Sequence, residues 1–339
     1  MSAGVVEASA GWKPARASLD HRFGNKGWVD LPLPAGRSTD LTESLTSVTA
    51  GPGQTYFVVA STALNSTGRI AGGVIEKFNS RGNLVGNFGR RGIVRIADTQ
   101  TPVELNLCAD GSMLLTSAQL NRKGNLTHWV ISRLRPSGAT DKNFGSGGTI
   151  RLRIPDPGNK WSPLVVPLDH GRFGVVGYDG NSKYPDERLR VFRRDGNPDT
   201  TFAEGGKRDF AFGVSSVTPT PDNKIIVGGS GADIQFVRLG SHGELDQTWG
   251  VGGVASSGIT ETKRWMPGLD KEMEDFEFGA GDIKARWVNG RLVATFATGL
   301  GFDGGSYDYG WAQRFSASGI VDQKWGERGR RALGSSYNS

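Results

Sequence analysis

The nine-residue string "TDKNFGSGG" at residues 140–148 is one of six near-copies spread along the chain, and this repetition limits the possible folds more than any other feature. The others are "LDHRFGNKG" (19–27), "LVGNFGRRG" (84–92), "PDTTFAEGG" (198–206), "LDQTWGVGG" (245–253) and "VDQKWGERG" (321–329). Aligned on the aromatic, they share the form xDxx(F/W)GxxG, with Phe23, Phe88, Phe144, Phe202, Trp249 and Trp325 spaced by 47 to 76 residues. A period of this length marks repeated supersecondary units, none of which can bury its apolar face alone.

Further positions recur upstream of each copy. A glycine stands three residues before the Asp position (Gly138, Gly196, Gly243, Gly319, with Gly82 before the divergent Val85), and an apolar residue four residues earlier again (Phe78, Leu134, Phe192, Leu239, Phe315). Before these come turn-and-strand runs such as "DGSMLLTS" (110–117) and "DNKIIVGG" (222–229), each preceded by another short strand candidate. One unit therefore supplies four antiparallel strands, which is a propeller blade. Six copies enclose five complete units, so the pattern predicts an all-β, five-bladed β-propeller, with six blades as the alternative. The first copy lacks upstream strands, and "GWVDL" (27–31) is expected to close the ring against the last unit. The expected organisation is an N-terminal extension over 1–14, a propeller over 15–333 with an insertion at about 255–281, and a tail over 334–339.

The repeated string reads as a structural corner. Glycines at fixed offsets permit positive φ or close backbone approach, the Asp accepts from turn amides, and the aromatic fills the space between neighbouring sheets. Six copies of a catalytic loop have no chemical rationale, whereas a ring of blades needs a corner in each. This signature resembles that of the delta-60 repeat family of bacterial proteins, GxLDxxFGxxG, over roughly residues 15–333. The chain departs from it at Ala17, Val85, Ala203, Trp249 and Trp325. The resemblance implies a β-propeller and carries across no catalytic residue.

Composition narrows the chemistry. The 339 residues include 51 glycines and a net charge of +6, which suits a turn-rich β protein with mild attraction to anionic surfaces. The basic strings "GRRG" (89–92), "RLRVFRR" (188–194) and "ERGRRAL" (327–333) are scattered and not interleaved with aromatics, which places nucleic-acid binding low. A lone cysteine, Cys108, excludes an intramolecular disulfide and reads as a buried structural thiol. With four histidines and neither HxH nor HExxH spacing, no metal and no cofactor are expected. The first residues lack a charged start with a sustained apolar run, and no stretch reaches membrane-span length. The expectation is a monomer without membrane insertion, cytoplasmic or exported without a cleavable signal.

Three functional readings follow, in this order. The first is a non-enzymatic binding propeller that presents variable loops to a protein or glycan whose identity the residues do not specify. Its expected ligand-binding residues are Asn65, Arg69, Asn121, His128, Asp179, Tyr184, Asp303, Tyr307 and Tyr309, on the loops between the third and fourth strands of each unit. Trp265 marks a competing site in the insertion, where "LDKEMEDFEF" suggests a short helix with Leu269, Met273 and Phe276 on one face. Second comes a carbohydrate-active enzyme using funnel carboxylates, with Glu104, Asp209 and Asp282 as candidates because they fall in or near predicted strands. A polyanion-binding surface is third.

Overall fold

The structure, a computed structural model, describes residues 20–31, 41–64, 70–121, 123–154, 162–177, 187–231, 233–258, 277–302 and 305–338. These form five four-stranded antiparallel sheets arranged as a five-bladed β-propeller. Blade one contains β1 (Leu41–Gly51), β2 (Thr55–Leu64), β3 (Ile70–Phe78) and β4 (Ile93–Ile96). Blade two contains β5 (Gln100–Leu107), β6 (Met113–Leu120), β7 (Leu126–Leu134) and β8 (Thr149–Arg153). Blade three contains β9 (Leu164–Pro167), β10 (Phe173–Val176), β11 (Arg188–Phe192) and β12 (Lys207–Asp209). Blade four contains β13 (Gly213–Pro219), β14 (Ile225–Ser230), β15 (Ile234–Leu239) and β16 (Val254–Ser256). Blade five contains β17 (Glu277–Val288), β18 (Arg291–Phe302), β19 (Gly305–Phe315) and β20 (Arg330–Asn338).

Strand order within every sheet follows the chain, so each blade is made from one continuous segment. The first strands β1, β5, β9, β13 and β17 lie innermost, and each packs against the first strand of the next blade along the chain. Four of these five carry a β-bulge, at Thr46, Val103, Ser215 and the Asp282–Ile283 step, where the register with the second strand shifts. A bulge adds twist and bend, which the innermost position requires. Polar side chains stitch the inner strands together: Thr49 Oγ1 donates to Leu105 O at 2.8 Å, and Thr218 Oγ1 to Ala285 O at 2.9 Å.

The middle strands are apolar on both faces because each blade is covered on both sides. β14, with Ile225, Ile226 and Val227 all buried, shows the pattern. Asn289 and Gly290, at φ 49° and 73°, form the two-residue turn between β17 and β18; both residues have the positive φ that a tight hairpin of this hand needs. Four apolar clusters fill the seams between consecutive blades, for example Phe144, Phe173, Trp129 and Ile131 between blades two and three. Among the described residues no corresponding cluster joins blade five to blade one, and β1 and β2 expose Leu45, Val48 and Tyr56.

The repeated string forms the corner between the third and fourth strand. In blade two Asp141 N donates to Arg133 O at 2.9 Å, Phe144 N to Asp141 O at 3.0 Å, and Gly148 N to Phe144 O at 2.8 Å. The aromatic drops into the seam toward the next blade, where Phe88, Phe144, Phe202 and Trp249 are buried. The amide after it donates to the turn before the next corner: Gly89 N to Ser137 O at 2.7 Å, Gly145 N to Asp195 O at 2.8 Å, Ala203 N to His242 O at 2.7 Å and Gly250 N to Ser318 O at 2.7 Å. The N-terminal corner does the same, with Gly24 N on Arg81 O at 2.8 Å and Phe23 edge-on to Tyr56 at 5.8 Å.

Two expectations change. Trp28 to Leu31 do not add a strand to blade five: among the described residues Trp28 has only an isolated bridge to Asn25 and is 67% exposed. The reason is that β20, the chain's own continuation past the last corner, already occupies that edge through Asn338. This strand includes residues 334–338, beyond the expected propeller end. The proposed helix with Leu269, Met273 and Phe276 lies outside the described residues.

Candidate functional site

The strand directions divide the propeller into two unlike faces. The turns between first and second strands and all the corners emerge on one face. The hairpins between second and third strands, and the connections from the fourth strand to the next blade, emerge on the other. The expected loops, counted there as joining third and fourth strands because each unit was started at the outer strand of the preceding blade, are these hairpins. The chain leaves β16 and re-enters at β17 on the same face.

The corner face is built for rigidity. Each corner Asp accepts the amide two residues on, as Thr201 N does at Asp199 Oδ1 (3.2 Å) and Thr248 N at Asp246 Oδ1 (3.2 Å). Each is also gripped by a cation from its own blade. Asp246 is held by Lys224 Nζ at 2.6 Å and Arg238 Nη2 at 2.7 Å, Asp322 by Arg314 Nη2 at 2.9 Å, and Asp199 by Arg172 Nη1 at 3.1 Å. Burial alone would raise the Asp246 carboxyl, but the bonds from Lys224, Thr248 and Arg238 outweigh it and hold the group well below the usual carboxylate range. Where Val85 replaces the Asp in blade one, the corresponding Lys77 turns to the rings instead, its Nζ 5.0 Å from Phe57 and 5.9 Å from Phe88. Cys108 is buried, and burial pushes its thiol pKa up, as a structural thiol requires.

The hairpin face is irregular. β18 and β19 run 12 and 11 residues, whereas β14 and β15 run six each and β10 four. The blade-five hairpin therefore extends past that of blade four, while β2 and β3 of blade one, at 10 and nine residues, come close to its length. Tyr307 and Tyr309 sit on this projection, Tyr307 in register with Leu300 and Tyr337, and Tyr309 with Thr298 and Ser335. Asn121 closes the β6–β7 hairpin by accepting the amides of Lys123 at 2.9 Å and Asn125 at 3.0 Å, so its side-chain oxygen has a turn-forming role. His128 lies half-buried in β7, in register with Gln119 and Arg153. Asn65, Arg69, Asp179, Tyr184, Asp303 and Trp265 lie outside the described residues.

One polar group that sequence reading passed over anchors the root of the insertion. Asp233, on the short β14–β15 loop, is buried and accepts from the Ser256 and Ser257 hydroxyls and from Ile234 N. Ser257 O in turn accepts from Gln313 Nε2 at 3.0 Å and Arg330 Nη2 at 2.5 Å. Four elements thus fix the chain where it leaves blade four. The only sequence hint was an Asp on an otherwise minimal loop.

Of the three candidate carboxylates, Asp209 stands apart from the other two. Asp209 belongs to β12, an outer strand, and is clamped at the rim by the Arg188 guanidinium; its predicted place near a strand was right but the strand faces away from the axis. Glu104 and Asp282 belong to inner strands of blades two and five, both beside bulges. Basic side chains also line the rim, where Arg95, Arg151, Arg153, Lys207 and Arg331 project from outer strands. Charges there block edge-to-edge pairing. Among the described residues no group of three or more His, Cys, Asp or Glu is placed to hold a metal, and no helix is long and apolar enough to cross a membrane.

These features define a repeat-built five-bladed β-propeller with one regular and one variable face. A family profile described as a β-propeller domain of unknown function (DUF5122) matches residues 220–248, the stretch from the turn before β14 into the corner of blade four. No curated protein matches the chain. Similar solved structures include a protein of unknown function from Bacteroides caccae (11% identity, 88% of this chain and 87% of that one, TM-score 0.40). Others are the β-propeller domain of the Trilobed protease from Pyrococcus furiosus (10%, 82% and 91%, 0.39) and the PQQ-bound aldose sugar dehydrogenase from Streptomyces coelicolor (10%, 87% and 86%, 0.38). Likenesses at this level carry no inference about activity.

Proposed function

We propose that the chain is a non-enzymatic recognition propeller of the delta-60 kind that binds a protein or glycan on its hairpin face. The observation that carries this reading is the projecting β18–β19 hairpin. The blade-four seam is filled by Leu292, Ala294, Phe296 and Phe315, from the part of the hairpin next to the β17–β18 turn, with Trp311 packed against them. Strand length beyond that part, next to an insertion rooted on the same face, makes a wall against which an extended ligand can lie.

The test shortens the hairpin. Thr298 and Tyr309 are in register, so replacing residues 299–308 by Asn-Gly closes the hairpin with a two-residue turn. Ligands are first selected for the intact chain from a glycan array and a displayed peptide library, then measured by calorimetry. Loss of about tenfold or more in affinity, with an unchanged melting temperature, supports the site. Undiminished affinity, or the absence of any selected ligand, sinks it.

A further inference from the structure

Six corners meet five seats. A seat is the turn before a corner, with a carbonyl that accepts the preceding corner's amide and a glycine against which that corner packs. The seats are at Gly82, Gly138, Gly196, Gly243 and Gly319, and each is filled by the corner before it in the chain. The sixth corner, at Trp325, occupies no seat among the described residues. Gly326 N–H has no acceptor among the described residues, and Trp325 is half-buried where its four blade-to-blade counterparts are fully buried.

The two terminal corners are complementary halves. The N-terminal one is seated on blade one through Gly24, Phe23 and Val29, but the residues after it pair with no sheet among those described. At the other end β20 is paired along β19, but its corner is unseated. Elsewhere in the ring one segment does both. Only one corner fits the Gly82 seat, because a Cβ there would already come within 2.7 Å of Gly24 N and 2.6 Å of Val29 Cγ2.

We propose that residues 20–31 and 322–338 are alternative closing segments for the seam between blade five and blade one, exchanging at the Gly82 seat. In the second state the Phe23 corner leaves, Trp325 packs on Tyr56, and Gly326 N–H donates to Arg81 O. The C-terminal corner is formed in advance: Asp322 accepts Lys324 N at 3.3 Å and Arg314 Nε at 3.0 Å, and Gly326 and Gly329 hold φ of 62° and 85°. Its strand also carries a suitable contact. Arg331 occupies the position of Arg208, whose Nη1 donates to Gly243 O, next to the seat carbonyl of His242, at 2.8 Å. Each state fills the one seat with one aromatic corner, so any interaction that favours one corner shifts the pair.

Gly24→Pro in the full chain tests this. It removes the donor and cannot adopt the native φ of 56°, while disturbing no blade. Amide exchange across residues 322–329 should then slow by about tenfold or more, as Gly326 gains its acceptor. Unchanged exchange there overturns the proposal. A thermal cycle gives an independent readout: the melting-temperature loss of Gly24→Pro combined with Trp325→Ala should exceed the sum of the single losses, since only the double variant leaves the seat empty. Additive losses would mean that the corners do not share it.

Discussion

Lys224 Nζ and Asp246 Oδ2 stand 2.6 Å apart, linking the start of the second strand of blade four to the corner that precedes its last strand. Arg238 reaches the same oxygen from the third strand, so one carboxylate ties three parts of the blade. Asp246→Asn should therefore cost about 3 kcal/mol, as for the loss of one partner from a largely buried ion pair. Denaturant unfolding measures this; a change indistinguishable from zero would refute the assigned role.

Acid should act through the same carboxylates. Asp246, Asp199 and Asp110 all have lowered pKa values in the fold. Their stabilisation is complete above the unfolded carboxylate value near about 4 and is lost as pH falls below it toward the native values. Melting temperature should hold through neutral pH and drop between about pH 4 and 2, with a shallower acid limb in Asp246→Asn. An equally steep limb in that variant would count against the linkage.

Ala203 stands where the other corners have glycine, and its φ is 41°. A side chain in this region costs about 1 to 2 kcal/mol, part of which glycine returns as unfolded-state entropy. Ala203→Gly is expected to stabilise the protein by about 0.5 to 1 kcal/mol, read as a small rise in the denaturation midpoint. Destabilisation would show that the methyl group contributes more by packing on the Gly243 seat than it costs in strain.

Phe144→Ala should lower stability by about 3 to 5 kcal/mol, because the ring is fully buried between blades two and three and meets Phe173 at 5.7 Å. Ligand binding by the fraction that remains folded should be unaffected, since the corner is on the opposite face from the hairpins. A retained melting temperature contradicts the corner assignment.

Arg151 and Arg153 both project from the outer strand β8. Replacing both with threonine should leave the melting temperature within about a degree and raise light scattering at high concentration, because an uncharged outer edge invites pairing with another chain. Scattering equal to the parent would assign these charges another task.

The corners made the architecture readable. Gly138, Asp141 and Phe144 have fixed roles in a seat, a grip and a seam, so the same residue types recur in the other blades, save for Val85 at the grip of blade one. The source of each grip was harder to see: Arg238 and Arg314 come from the third strand, but Arg172 comes from the second, and only the folded sheet shows that both reach one point. Asp209 illustrates a related limit, because inner and outer strands are equally strand-like in sequence and differ only in their distance from the axis. "GWVDL" misled because it copies an outer strand, and nothing local reveals that β20 has taken the edge. The hairpin face offered least. Its loops carry no constraint shared among blades, so Asn121 could be recognised as a turn residue only from the amides it accepts.

Five of the six corner amides reach forward along the chain, to the turn of the next blade. During synthesis on the ribosome, a newly made corner therefore waits for an acceptor that has not yet been translated. Gly89 cannot be satisfied until Ser137 has emerged, nor Gly250 until Ser318. The nascent chain consequently consolidates in steps, always with its latest blade unfinished, and the N-terminal corner, already released when Arg81 appears, is the first of these contacts to form.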